Sequence, residues 1–139
     1  MGDGTSLNKS SPVQIGAATD WTDVIGGYNH ALGLRGGKLY SWGNNASYQL
    51  GLGDLTKRSS PVQVGAATDW TDISAGYQSS YGIRGGQLYS WGDNTYGGLG
   101  LGHRTAVNSP VQVGAATDWL TVVASSFDPF SSARGLRAP

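Results

Sequence analysis

The feature that most limits how this chain can fold is an internal repeat with a period of 49 residues. The segment SPVQVGAATDW occurs at Ser60–Trp70 and at Ser109–Trp119, and a near-copy, SPVQIGAATDW, lies at Ser11–Trp21. The residues between these copies repeat as well, since GGKLYSWGNN at Gly36–Asn45 is matched by GGQLYSWGDN at Gly85–Asn94. Similar units at a fixed period indicate an architecture in which each unit buries its apolar faces against its neighbours.

The repeat divides most of the chain into units of one kind. We expect repeats over residues 1–125, with a lead-in at 1–21, full units at about 12–60 and 61–109, and a partial unit at 110–125. Residues 126–139 lack the Gly-Gly hairpin and the YSWG strand, so we interpret them as a divergent C-terminal tail that is partly disordered or bound to a partner. Only a weak likeness to the repeat remains there, at Gly135–Arg137.

Each unit contains four short stretches that favour β-strands, and in the first unit they are PVQIG, WTDVIGG, HALGLR and KLYSWG. The proline of PVQIG cannot donate a ladder hydrogen bond, which suits an edge strand near Val13–Ile15. The Gly-Gly dipeptide between the last two stretches predicts a tight hairpin. One four-stranded antiparallel sheet per roughly 40 to 50 residues is typical of a β-propeller blade. We therefore predict an all-β fold of propeller blades, an incomplete ring in one chain that is completed by oligomerisation.

The composition agrees with strands and tight turns and argues against several functions. The chain has 23 Gly, and its nine acidic residues are all Asp, which favours turns, so we expect little or no helix. Nine basic residues balance them, which argues against binding to nucleic acid. With no Cys, no Glu and two His, we expect no metal site, and no motif indicates a cofactor.

No apolar run reaches the length of a membrane span, so we expect no membrane insertion. No signal peptide is visible at the start of the sequence, which favours a cytoplasmic or virion-associated location over a secreted one.

The stretch YNHALGLRGGKLYSWGNNASYQLGLGD at Tyr28–Asp54 resembles the RCC1 (regulator of chromosome condensation) repeat. Three hallmarks carry this resemblance: a strand that begins Gly-x-x-His, a strand that ends aromatic-x-Trp-Gly, and a Gln-Leu-Gly-x-Gly loop. The first unit has them at Gly27, His30, Leu32, Tyr40, Trp42, Gly43, Gln49, Leu50, Gly51 and Gly53. The second unit departs from the pattern, with Ser79 at the position of His30 and Gly98 at the position of Gln49. The resemblance implies a β-propeller, which in the family is a closed ring of seven blades in one longer chain.

The aromatic residues of the third strand are interpreted first as packing residues. Trp42 and Trp91 end this strand in the two units, and an indole buries a large apolar area, so we expect them to pack between blades. A platform for a stacked ligand is the alternative. We also assign Tyr40, Tyr89 and His30 to the structural core, and we expect no catalytic residue, because no nucleophile or carboxylate can be paired with His30 from the sequence.

A second set of candidates follows each AATD segment, where an Asp and a Trp begin the next strand. The simpler interpretation is a structural corner, because Asp commonly caps a turn. The sharper hypothesis is a ring of Asp and Trp, one pair per blade, that binds a sugar or a partner peptide. The candidate binding residues are Asp20, Trp21, Asp69, Trp70, Asp118 and Trp119.

These observations favour a non-enzymatic structural or protein-binding module that self-assembles into a propeller-like ring or filament. We expect a homo-oligomer formed through blade faces and terminal strands, since uncovered blade faces and edges are prone to association. Repeats this regular suggest a bacterial or phage surface or virion structure. The alternative is a carbohydrate-binding module that uses the Asp/Trp corners, and a weaker alternative, implied only by the family resemblance, is a regulator of a small GTPase.

Overall fold

A computed structural model describes residues 17–125 and 134–137 and shows only strands and connecting turns in those residues. The strands are β1 (Trp21–Gly26), β2 (His30–Arg35), β3 (Lys38–Gly43), β4 (Arg58–Gln63), β5 (Trp70–Ala75), β6 (Ser79–Arg84), β7 (Gln87–Gly92), β8 (Val107–Gln112), β9 (Trp119–Val123) and β10 (Arg134–Arg137). The all-β prediction is confirmed.

The strands form three antiparallel sheets that follow one another along the chain. Blade 1 has the order β1-β2-β3-β4, blade 2 has the order β5-β6-β7-β8, and the described part of blade 3 consists of β9 and β10. Each sheet therefore contains neighbours in sequence only, as expected for propeller blades. The four-stranded antiparallel blade predicted from the sequence is confirmed.

The repeated SPVQ segment closes a blade rather than opening one. In blade 1 it lies at the end of β4, where Val62 pairs with Ser41 and Gln63 pairs with Tyr40 of β3. Pro61 therefore sits in an outer strand, where its missing N–H is tolerated. The next residues, 64–69, cross to the first strand of blade 2. The corresponding edge strand expected near Val13–Ile15 lies outside the described residues.

The tail supplies the second strand of blade 3. Arg137 pairs with Trp119 and Leu136 pairs with Thr121 across a register shift, as Arg35 pairs with Trp21 and Leu34 with Asp23 in blade 1. The register is the same although the connection from β9 to β10 contains ten residues, against three between β1 and β2. The weak likeness of Gly135–Arg137 to the repeat is thus a structural equivalence.

Each hydrophobic core lies between two blades. We call the face of a blade toward the preceding blade its leading face, and the opposite face its trailing face. On the trailing face of blade 1, Leu32, Leu34 and Leu39 pack against the leading face of blade 2, to which Trp70 and Ile73 belong. The second core joins Tyr81, Ile83 and Leu88 of blade 2 to Val122 of blade 3.

A backbone contact locks successive blades together at the hairpin. The N–H of Trp70 donates to the carbonyl of Gly37 at 3.0 Å, and the N–H of Trp119 donates to the carbonyl of Gly86 at 2.9 Å. A Cβ at Gly37 would lie 2.0 Å from the carbonyl oxygen of Thr68 in the next joint, whereas a Cβ at Gly36 would meet nothing within 4 Å. The second glycine of the hairpin is therefore required by the neighbouring blade.

This difference makes the two hairpin glycines a matched pair for mutagenesis. Both have positive φ, 57° at Gly36 and 74° at Gly37, so alanine at either position costs about 1 kcal/mol of unfolding free energy in backbone strain. We expect Gly37→Ala to cost about 1–3 kcal/mol more than Gly36→Ala, because the added methyl collides with the next blade. Urea unfolding of the two variants measures the difference, and equal destabilisation would contradict the proposed lock.

Candidate functional site

Three equivalent corners carry the most regular side-chain chemistry of the chain. At each corner, the Asp before the first strand of a blade accepts an ion-paired hydrogen bond from the Arg that ends the second strand. The Nε–Oδ1 distances are 2.8 Å for Arg35–Asp20, 2.5 Å for Arg84–Asp69 and 2.7 Å for Arg137–Asp118. The repeat thus places one Asp–Arg pair at the same point of every blade that the structure describes.

Electrostatics at the corners follow from these pairs. Hydrogen bonding from Arg137 lowers the pKa of the Asp118 carboxyl, and hydrogen bonding to Asp69 raises the pKa of the Arg84 guanidinium. All three pairs are substantially exposed, so each contributes little to stability on its own. A partner with a charged or strongly polar group can therefore exchange with either member at small cost in folding free energy.

A glycine in the second strand shapes each corner. A Cβ at Gly33, Gly82 or Gly135 would lie 2.6, 2.7 or 2.3 Å from Cζ3 of the corner tryptophan of the same blade, which is closer than real Cβ atoms approach. The indole therefore lies flat across this glycine. The Gly-x-Arg triplet is a unit: the glycine admits the indole, and the arginine two residues later binds the aspartate.

The corner tryptophans are covered rather than presented to solvent. Trp70 is 6% exposed, and Trp21 and Trp119 are half-buried. Trp21 meets the edge of Tyr40 at 5.3 Å between ring centroids, and Trp70 meets Tyr89 at 5.5 Å. The buried Nε1 atoms of Trp70 and Trp119 have no hydrogen-bond partner.

Arginine side chains close the outer side of the aromatic groups. The guanidinium of Arg35 lies 5.6 Å from the ring centroid of Tyr40, that of Arg84 lies 5.9 Å from Tyr89, and that of Arg137 lies 5.7 Å from Trp119. These distances are within the range of cation–π attraction. What a corner offers a partner is thus an arginine held over an aromatic ring beside a carboxylate, rather than an open indole face.

Blade 2 has a surface cavity of about 440 Å³ at its corner. Its walls include Trp70, Arg84 and Tyr89, together with Val64, Ala67 and Pro110. The volume lies in the range of small-ligand sites, and the wall is mostly apolar with one cationic group. Of the sequence-predicted binding residues, Trp70 therefore borders a cavity, and Asp69 binds the arginine that lines it.

The structural candidates lie inside the blades and between them. Trp42 is 1% exposed and Trp91 is fully buried, whereas Tyr40 and Tyr89 are half-buried. Trp91 donates from Nε1 to the carbonyl of Gln49 in the preceding blade at 3.1 Å. A Cβ at Gly51 would lie 2.7 Å from the same nitrogen, so the Gln-Leu-Gly loop fits closely against this indole.

His30 belongs to a buried hydrogen-bond chain that links blades 1 and 2. Its Nε2 lies 2.9 Å from Oγ of Ser80, and the Ser80 hydroxyl donates to the carbonyl of Gln49 at 2.7 Å. Because the serine hydrogen is used in that bond, Nε2 of His30 must carry the donated hydrogen, and Nδ1 is left as a buried acceptor without a partner. Burial lowers the pKa of His30 to about 4, against a smaller opposing effect of the Ser79 backbone.

Two further features were not predicted from single residues. Tyr28 and Tyr77 stack at 4.3 Å between ring centroids, on the turns between the first two strands of blades 1 and 2. Asp72 and Ser74 accept hydrogen bonds from the N–H groups of Val122 and Ala124 in blade 3, at 3.0 and 2.9 Å. The sequence signal that could have found the tyrosine pair is its spacing, since Tyr28 and Tyr77 are 49 residues apart and therefore equivalent in the repeat. Arg35 and Arg84 at the corners have the same spacing.

Within 17–125 and 134–137, no group of three or more His, Cys, Asp or Glu side chains comes together in a way that could hold a metal ion. No helix in that part of the chain is long and apolar enough to cross a bilayer.

Comparison with known proteins agrees with the repeat and the fold. The family model described as the regulator of chromosome condensation (RCC1) repeat matches residues 36–83 and 85–127. Human WBSCR16 superposes with a TM-score of 0.69 at 24% identity, over 79% of this chain and 30% of that one. No curated protein matches the chain in sequence.

Two yeast structures show the same likeness. Yeast RCC1 (Prp20), solved with Kap60, superposes with a TM-score of 0.65 at 24% identity over 76% of this chain and 28% of that one. Prp20p from Saccharomyces cerevisiae, whose structure was reported with its binding properties to Gsp1p and histones, gives 0.68 at 20% identity over 88% and 33%. The chain spans about a third of the length of these proteins, and at such identity the likeness shows the fold alone.

The burial of His30 predicts how stability depends on pH. The folded state holds His30 neutral down to about pH 4, whereas the unfolded chain binds a proton below its ordinary pKa of 6.5. The free energy of unfolding should therefore fall by about 3 kcal/mol as the pH drops from 6.5 to 4, and stay level in this respect below that range. The exposed carboxyls of Asp54 and Asp118, whose pKa values are lowered, titrate below this window.

Urea unfolding at a series of pH values checks this dependence. His30→Gln keeps a donor toward Ser80 but cannot be protonated, so it should remove most of the slope between pH 4 and 6.5. His103→Asp is the matched control, because Asp54 occupies the same position in blade 1, and it should keep the slope. A slope that survives in His30→Gln would show that another group carries it.

Proposed function

This chain belongs to the RCC1 repeat family, and on that premise we propose that it is a non-enzymatic protein-binding module that associates head to tail with further copies of itself. The observation that carries the proposal is a difference in solvent exposure between equivalent side chains inside the stack of blades and at its two ends. Residues that are buried where one blade meets the next are exposed where no further blade is described.

The leading face of blade 1 shows this mismatch at Val24. Its side chain is 47% exposed, whereas the equivalent residues Ile73 and Val122 are 2% and 4% exposed, because each of them packs against the preceding blade. At this position the leading face of a blade contributes an apolar side chain to the contact with the preceding blade. In blade 1 that side chain is exposed.

The trailing face of blade 3 shows the complementary half. Val123 and Leu136 are 66% and 60% exposed, whereas Ser74 and Ile83, which occupy their positions in blade 2, are each 1% exposed. The trailing face of blade 3 and the leading face of blade 1 therefore carry the two sides of a contact that the chain makes twice internally. A heterologous contact of this kind produces a closed ring or an open filament, depending on the rotation between copies.

Named partners of relatives are consistent with a protein-binding role. The yeast structures concern a complex with Kap60 and binding to Gsp1p and histones. These partners are properties of those proteins, and the self-association proposed for this chain rests on its own exposed faces. The bacterial or phage setting and the regulation of a small GTPase stay predictions.

Sedimentation equilibrium tests the head-to-tail contact. We expect the average mass of the unmodified chain to rise with concentration, while Val24→Asp and Val123→Asp each stay monomeric, because a carboxylate replaces an apolar contact on one face. A mixture of the two variants should form dimers and nothing larger, since each variant keeps the face that the other has lost. Leu55→Asp is the control, a similarly exposed position (53%) in the connection between β3 and β4 rather than in a strand of either face, and it should associate normally.

Two results would contradict the proposal. The first is an unmodified chain that stays monomeric at all concentrations up to about a millimolar. The second is a mixture of Val24→Asp and Val123→Asp in which no dimer forms although each variant is folded.

A second candidate function is carbohydrate binding at the corner of blade 2, and the cavity beside Trp70 favours it. Its volume of about 440 Å³ suits one or two sugar units, and Arg84 and Tyr89 supply a cation and a hydroxyl group on its wall. The orientation of Arg84 over the Tyr89 ring favours an acidic sugar, whose carboxylate can bind the guanidinium.

Glycan-array binding with two variants tests this candidate. Arg84→Gln should abolish binding of acidic glycans by removing the cation at the cavity, whereas Arg58→Gln, which removes the arginine of a different exposed ion pair, should leave binding unchanged. Equal loss in both variants, or no glycan bound at all, would contradict a sugar site at this corner.

A further inference from the structure

The turns that join the first two strands of blades 1 and 2 each carry a tyrosine, and the two rings lie against each other. Tyr28 and Tyr77 have ring centroids 4.3 Å apart and ring planes inclined by 26°, which is a stacked arrangement. Tyr28 is 57% exposed and Tyr77 is half-buried, so the pair is accessible from solvent. Neither ring belongs to the apolar core between the blades. The pair therefore lies outside the packing that holds blades 1 and 2 together.

Backbone contacts hold the two turns in the same conformation and against each other. The N–H of Gly27 donates to the carbonyl of His30, and the N–H of Gly76 donates to that of Ser79, both at 2.8 Å. A Cβ at Gly27 would lie 2.7 Å from the carbonyl oxygen of Gly76, so the two turns are in direct contact. Each tyrosine directly follows its glycine, and the ring pair is thus positioned by backbone that is itself fixed.

A buried hydrogen bond beneath the turns fixes the distance between the strands that follow them. Nε2 of His30, at the start of β2, lies 2.9 Å from the hydroxyl of Ser80, near the start of β6. His30 is 1% exposed and Ser80 is fully buried, so water does not compete for this bond. The spacing of the two tyrosines is therefore a property of the folded blades.

The two tyrosine hydroxyl groups lie near each other at one edge of the stack. Partial burial raises the pKa of the Tyr77 hydroxyl, and interaction with the Tyr28 side chain, through charge and through a hydrogen bond, raises it further. Because the rings are stacked with their hydroxyl groups together, the Cε atoms beside each hydroxyl-bearing carbon also lie side by side. These are the carbons at which two oxidised tyrosines join.

We propose that Tyr28 and Tyr77 form an oxidative cross-linking site, at which a bond between one Cε atom of each ring produces a dityrosine that ties blade 1 to blade 2. Each phenol gives up one electron and one proton to become a phenoxyl radical. The two radicals pair their electrons in the new Cε–Cε bond, and each bonded carbon then loses its hydrogen as a proton while the ring oxygen regains one. Hydrogen peroxide, used by a haem peroxidase, accepts the two electrons and two protons and is reduced to two molecules of water. Because the rings are already together, coupling within one chain is favoured over coupling between chains.

Such a bond would give the chain a covalent tie that it cannot obtain from a disulfide, because it has no cysteine. A cross-link that closes a long loop stabilises the folded state mainly by restricting the unfolded chain. We therefore expect the oxidised chain to have an unfolding equilibrium constant at least about tenfold smaller in urea titrations. The site lies within one chain, so the inference goes beyond the self-association proposed above and does not depend on it.

Oxidation of the full chain at submicromolar concentration with a haem peroxidase and hydrogen peroxide tests the site. We expect a monomer that has lost the mass of two hydrogen atoms and shows dityrosine fluorescence. Trypsin should then release a cross-linked peptide made of residues 10–35 and 59–84. Tandem mass spectrometry should place the bond on Tyr77 rather than on Tyr81 of the same peptide, which is 2% exposed.

Three single substitutions supply the comparison. Tyr28→Phe and Tyr77→Phe each keep a ring in the stack but remove a phenol, so each should lower the yield of the intramolecular product at least about tenfold. Tyr96→Phe is the matched control, because it removes a tyrosine of similar exposure (52%) from the connection between β7 and β8. It should leave the yield unchanged.

Four outcomes would overturn the proposal. They are a product cross-linked only between chains, a bond that maps to other tyrosines, an equal yield in Tyr77→Phe, and an oxidised monomer that unfolds as readily as the unoxidised chain. Each is distinct from failure of self-association, which is read from the mass of the unoxidised chain.

Discussion

Both apolar cores found in residues 17–125 and 134–137 lie between blades, and the rest of the structure depends on that constraint. A single sheet of four strands has two faces and cannot bury either by itself. The faces are therefore complementary: leucines on the trailing side of one blade meet a tryptophan and an isoleucine on the leading side of the next. This explains why successive repeats are so similar: each blade needs a leading face that fits the blade before it and a trailing face that fits the blade after it. The self-association proposed above would bury the two faces that have no described neighbour.

The joint between blades combines backbone and side-chain contacts within a few residues. The hairpin carbonyl of Gly37 accepts a hydrogen bond from Trp70, whose indole lies on Gly82, while the preceding aspartate binds Arg84. The glycines are required because a backbone carbonyl or the indole approaches them closely, whereas the arginine and the aspartate are exposed. The glycines and the indole therefore fix the geometry of the joint, and the exposed charges contribute less to it. The corners therefore serve as structural joints whose charged side chains remain exposed.

Much of the fold could be predicted from the sequence because the repeat supplies its own alignment. The four strands of a blade follow from alternating stretches and the Gly-Gly hairpin. The strand at Arg134–Arg137 was not predicted, because the sequence around the weak likeness at Gly135–Arg137 lacks the Gly-Gly hairpin and the YSWG strand. The units counted from the repeat begin with SPVQ, whereas blade 1 ends with it, because the place of a strand in a sheet depends on the strand with which it pairs. The cover over the tryptophans was missed for a similar reason: Tyr40 and Arg35 lie far from Trp21 in sequence and reach it only through strand register.

The turn between the first two strands of a blade differs from every other connection in its freedom of length. Strands β9 and β10 keep the register of the other blades across a connection seven residues longer than that of blade 1. On the opposite end, the second glycine of the hairpin is required by a backbone carbonyl of the joint that leads to the next blade. The hairpin end of a blade is therefore restricted in sequence by the next blade, whereas the opposite end tolerates a longer connection without a change of strand register. A chain of this kind can thus gain length at the end that carries Tyr28 and Tyr77 while its blades keep their strand pairing.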